Sequence, residues 1–92
     1  YRDIVNVANN GIGIVRITVS TTNGMKSNQQ VTVRDVTGVP NANGNFTITV
    51  VNLSQFDLQN AVFTGAYTGG GYVINNPSLP YGFTEVPKTG PL

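Results

Sequence analysis

The sequence predicts an all-β chain, a small antiparallel β-barrel of about five to six strands with extended N- and C-terminal arms. Three observations carry that prediction. Asn-Gly dipeptides stand at Asn10-Gly11, Asn23-Gly24 and Asn43-Gly44, and both residue types reach the positive φ that tight turns between twisted strands require. Several stretches alternate apolar and polar residues with period two, the spacing of a half-buried strand and not of a helix. Prolines gather near the C-terminus, at Pro77, Pro80, Pro87 and Pro91, where they bar a strand ladder and favour an extended arm.

In chain order, residues 1–12 form an N-terminal arm or an edge strand. The barrel covers residues 13–74. Across 14–21, Val15, Ile17 and Val19 face one way and Arg16, Thr18 and Ser20 the other, as in a strand with one buried face. Gln30 to Arg34 repeats the pattern with Val31 and Val33 inward, and Gly38-Val39-Pro40 closes it. Asn43-Gly44 leads into a third strand in which Phe46, Ile48 and Val50 alternate with Thr47 and Thr49, β-branched on both faces as strand propensity prefers. A turn at Asn52-Leu53-Ser54 introduces a fourth, Gln55 to Gln59, with Phe56 and Leu58 inward. Phe46 and Phe56 are core by position. Gly65 to Gly71 makes a corner before the last strand, Tyr72-Val73-Ile74. Closure into a barrel would remove edges that so uncharged a sheet has few other means to protect.

Residues 75–92 are the C-terminal arm. Leu79, Tyr81, Phe83 and Val86 lie between its prolines. Left exposed they would be costly, so they insert into pockets on the same barrel or on another chain, and they are the candidate partner-binding residues.

Composition narrows the function classes. With 92 residues there is one domain and a thin core. Hydrophobic residues make up 39% and charged residues only 10%, so Thr, Asn, Ser, Gln and Gly must cover the surface. Neutral polar groups are easier to desolvate than ions, which suits a protein packed against neighbours. The net charge is +1, and no two Lys or Arg residues lie closer than eight positions in sequence. Pairing of strands could join Arg16 and Arg34, but a pair is not the clustered basic groove that nucleic-acid binding needs. Cysteine and histidine are absent, which removes disulfides, the usual zinc and haem ligands and His-based acid-base schemes. No cofactor is expected. No stretch approaches the roughly 18 apolar residues of a membrane helix, and no signal-peptide pattern opens the chain. The chain begins with Tyr1 and not Met, which fits either a missing initiator or a segment of a longer protein.

Little of the sequence points to catalysis. Gly11-Ile12-Gly13 and Gly69-Gly70-Gly71 open no helix and precede no Gly-Lys-Ser/Thr, so they read as strand starts or bulges. The acidic residues Asp3, Asp35, Asp57 and Glu85 stand apart, with Asp57 at an outward strand position, and an enzyme would need two of them to meet in a cleft. No catalytic residue is expected. Tyr67 and Tyr72 flank the glycine corner. They cap the barrel or, if they present exposed ring faces side by side, form a glycan platform.

The order of landmarks is informative. Asn23-Gly24-Met25, Val31-Thr32-Val33, Gly38-Val39, Asn43-Gly44 before Phe46-Thr47-Ile48-Thr49-Val50, Phe56-Asp57-Leu58 and Gly65-Ala66-Tyr67-Thr68-Gly69-Gly70-Gly71 follow one another over residues 13–74. This series resembles the small β-barrel module of the first catalytic cysteine half-domain type of ubiquitin-activating enzymes, which recurs in bacteriophage virion and tail proteins. The family usually has His-Gly-Leu where Asn23-Gly24-Met25 stands and Gly-Asp where Asn28-Gln29 stands, both in turns. The resemblance implies a virion structural protein located in the particle, and family habit points to the tail or its fibres, whereas a stand-alone barrel with arms suits a capsid decoration or cementing subunit, the reading favoured. The implied partners are capsid or tail subunits and further copies of the chain, with no nucleic acid and no membrane. A carbohydrate-binding adhesion module is the rival reading.

Overall fold

The computed structural model describes residues 1–76. Six strands form a closed, wholly antiparallel barrel: β1 (Arg2–Asn9), β2 (Ile14–Val19), β3 (Gln30–Arg34), β4 (Gly44–Val50), β5 (Gln55–Val62) and β6 (Tyr72–Asn76), in the spatial order β1-β2-β5-β4-β3-β6. One turn of 3-10 helix, Pro40–Ala42, precedes β4. Strands β3, β4 and β5 are linked by successive hairpins and β6 returns beside β3, the Greek-key arrangement. The β2 to β3 and β5 to β6 connections each cross the barrel, so its ends are covered by chain.

Residues 1–12 therefore do not form an arm, and β1 is not an edge: it pairs with β2 and with β6. Its role was masked by a bulge. Two residues of β1 oppose one of β2 between Ile4 and Asn6, which turns Val5 outward and places the buried side chains, Ile4 and Val7, three positions apart. Asn60 has the same effect in β5. Its φ of 65° breaks the alternation after Leu58, so that Ala61 points inward and the strand runs on to Val62. At the other end of the chain, Asn75 and Asn76 belong to β6 and not to an arm. The candidate partner-binding residues Leu79, Tyr81, Phe83 and Val86 lie outside the described residues.

Val15, Ile17, Val31, Val33, Ile48, Phe56, Leu58 and Val73 are fully buried, the inward positions that the period-two pattern selects. Each contributes about 1.5–3 kcal/mol by leaving water. Phe46 is only partly buried, packed on the flank of this core. The connections supply plugs. Met25, in the β2 to β3 crossing, stops one end, while Val36, Val39 and Ala42 from the β3 to β4 loop stop the other. Strands β2 and β3 are separated by β5 and β4, so Arg16 and Arg34 do not pair across neighbouring strands.

Since all neighbours are antiparallel, the loops sort into two ends. The β1–β2, β3–β4 and β5–β6 connections share the first end, and the β2–β3 and β4–β5 connections share the second, where β6 also finishes. At the first end two glycines let backbones touch. A Cβ on Gly38 would strike the Ala66 carbonyl oxygen, and one on Gly65 would strike that of Gly38. The Ala66 amide donates to the Gly38 carbonyl at 3.1 Å, and Thr37 and Gly69 form an isolated bridge, locking the two loops together.

Candidate docking surfaces

The described residues enclose no pocket, and the candidate contacts lie on the outer surface of the barrel. Two apolar side chains stand out there, Ile12, 83% exposed at the first end, and Leu53, 82% exposed at the second. Both loops are held rigidly by asparagine side chains. In the β1–β2 loop, Asn9 Oδ1 accepts from the Gly11 and Gly13 amides at 2.8 and 2.9 Å. Asn10 Oδ1 accepts from the Ile12 and Ile14 amides at 2.9 and 3.3 Å. Asn favours such sites because its amide oxygen imitates a backbone acceptor two or more residues ahead.

The β4–β5 loop repeats the device. Asn52 Oδ1 accepts from the Ser54 amide at 2.9 Å, and Asn52 Nδ2 donates to Gln55 Oε1 at 2.9 Å. The neighbouring crossing ties it down further: the Thr22 amide donates to the Leu53 carbonyl at 2.8 Å, and Thr22 Oγ1 donates to the Asn52 carbonyl at 2.7 Å. Around the two tips lie further apolar groups. Phe63 donates its amide to the Gly13 carbonyl at 2.8 Å, which sets Val62, 56% exposed, next to the Ile12 loop. Val51 accompanies Leu53, and the bulge presents Val5 on the barrel wall.

Arg16 and Asp57 form an ion pair of short, well-directed geometry. Arg16 Nε donates to Asp57 Oδ1 at 2.7 Å and Arg16 Nη2 to Asp57 Oδ2 at 3.2 Å, from directly opposed positions on β2 and β5. Asn10 Nδ2 donates to the same Oδ2 at 3.0 Å, so the pair also anchors the Ile12 loop. Burial pushes the Asp57 carboxyl up, but the hydrogen bonds from Arg16 and Asn10 and the guanidinium charge outweigh it and hold the group below the usual carboxylate range. The hydrogen bond to Asp57 in turn raises Arg16. Asp57 is thus a strut, kept ionised by its partners.

Tyr67 is half-buried, packs on the core and donates its hydroxyl to the Gly70 carbonyl at 2.7 Å. Tyr72 is half-buried and meets Tyr1 edge to face, with ring centroids 6.0 Å apart. Of the acidic residues, Asp57 faces Arg16 and Asn10, and Glu85 lies outside the described residues. The sequence reading did not single out Ile12, Leu53 or Val62. A signal existed for the first two: a large apolar residue inside Asn-Gly-Ile-Gly or Asn-Leu-Ser sits at a turn tip, where its own strands cannot cover it. Comparison with known proteins found no family model that matches the chain and no similar curated protein.

Proposed function

We propose that this chain is a structural protein of a tailed-bacteriophage virion, stabilising the particle through subunit contacts as a capsid decoration or cementing protein. Its work is assembly and not catalysis. The observation that carries the reading is the pair of exposed but fixed apolar tips, Ile12 and Leu53, on loops at opposite ends of a rigid barrel. An apolar side chain already held in place loses little freedom when a partner covers it, which favours association. A subunit with such contacts at two ends can bridge two neighbours in a shell, and the uncharged surface between them is inexpensive to bury.

Leu79, Tyr81, Phe83 and Val86, which follow β6 in sequence, are proposed as further partner contacts. The resemblance to phage barrel modules supports a virion structural role, with the tail or its fibres as the other location. The test is co-sedimentation of the full chain with tailed-phage capsids stripped of their outer proteins and, separately, with purified tails. Binding to capsids alone is the expected result. Binding to tails alone would transfer the protein to the tail, and binding to neither would overturn the proposal.

A further inference from the structure

Asn-Gly dipeptides are chemically labile as well as turn-forming, because glycine leaves the following amide nitrogen unshielded. The three in this chain are held very differently. Asn10 has its carboxamide bound by the Ile12 and Ile14 amides and by Asp57, while the attacking group, the Gly11 amide, donates to Asn9 Oδ1 at 2.8 Å. At Asn43 the carboxamide is clamped on one backbone unit. Its Oδ1 accepts from the Val36 amide and its Nδ2 donates to the Val36 carbonyl, both at 3.0 Å. Asn23 differs from both. It is exposed, and its carboxamide and the Gly24 amide make no hydrogen bond with the described residues.

We infer that Asn23 is a site of spontaneous deamidation, selected over Asn10 and Asn43 by this difference in restraint. The Gly24 nitrogen bonds to Asn23 Cγ, the Cγ–Nδ2 bond breaks, and ammonia leaves with the amide proton. Water then opens the resulting succinimide at either carbonyl, giving aspartate or isoaspartate at position 23. No oxidant or reductant takes part. Arg2 restrains the reaction. Its Nη2 donates to the Asn23 carbonyl at 2.6 Å and its Nε to the Thr21 carbonyl at 3.1 Å, and ring closure requires the Asn23-Gly24 peptide to rotate away from that grip.

The product matters to the fold and the surface. One new carboxylate beside the Arg2 guanidinium takes the formal net charge from +1 to zero. An isoaspartate also adds a methylene to the backbone between Thr22, which holds the Leu53 loop, and Met25, which plugs the barrel. This inference is independent of the virion proposal.

The test is incubation of the full chain at mildly alkaline pH, folded and in denaturant, followed by mass spectrometry of the tryptic peptides 3–16, 17–26 and 35–88. In the folded chain, 17–26 is expected to gain the mass of an amide-to-acid conversion roughly tenfold faster than Asn10 or Asn43, the factor set by one or two lost hydrogen bonds. In denaturant the three should convert alike. Conversion of Asn10 or Asn43 as fast as Asn23 in the folded chain would overturn the inference, as would an unreacted folded 17–26. Arg2→Gln should accelerate Asn23 alone. Acceleration of all three sites would mean general destabilisation, and no acceleration would remove Arg2 as the restraint.

Discussion

Asp57 shows how a single residue on this barrel combines stability with surface shape. Its folded-state pKa lies below that of an unfolded aspartate, so its contribution is fully present above the ordinary carboxylate range, near pH 4, and is lost as pH falls through the depressed folded value. Asp57→Asn should therefore cost about 1 kcal/mol at neutral pH, a figure reduced for the partial exposure of the pair. The difference from wild type should shrink in acid. Urea denaturation of both proteins at neutral and at strongly acidic pH checks the sign. Core residues have larger effects: Phe56, fully buried, should lose about 3–5 kcal/mol on substitution by Ala. In a domain whose total stability is of order 5–15 kcal/mol, calorimetry should show a greatly lowered melting temperature or no transition.

At the scale of elements, the loops determine closure. Gly38 has φ +89° and lies against the Ala66 carbonyl, so Gly38→Ala combines a left-handed backbone, costing about 1–2 kcal/mol, with a backbone clash. The β3–β4 and β5–β6 loops should then separate, and hydrogen exchange should rise at the amides of Thr37, Ala66 and Thr68, which now bond across them. The same elements show what could be read from sequence. Strands β2, β3 and β4 were legible because uninterrupted alternation reports one buried face, and their inward residues were correctly identified apart from the extent to which Phe46 and Val50 are covered. β1 and the end of β5 were not, since the bulge at Val5 and the left-handed Asn60 shift the alternation by one residue. Asn-Gly was an incomplete guide. Asn10-Gly11 turns a hairpin, but Asn23-Gly24 sits in a crossing between strands that never pair. The Arg16–Asp57 pair was hidden because its residues are adjacent only through the β2–β5 neighbourhood, a property of topology and not of local pattern.

Among the described residues the barrel is closed and leaves no sheet edge, so under the proposed function it would grip neighbours through fixed apolar points on a surface poor in charge. Contacts of that kind depend little on ionic strength, whereas attraction between exposed charges is strongly screened. Binding to capsids measured at low and high salt should consequently change little, and a steep loss with salt would point to the scattered Lys and Arg residues instead. The most direct measurement compares wild type with the double variant Ile12→Lys, Leu53→Lys in co-sedimentation with stripped tailed-phage capsids, with melting curves recorded for both. Both side chains are almost fully exposed, so the melting temperature should stay close to that of wild type while capsid binding is lost. A wild-type chain that ignores the particles, or a folded double variant that binds them as well as wild type, would contradict the account.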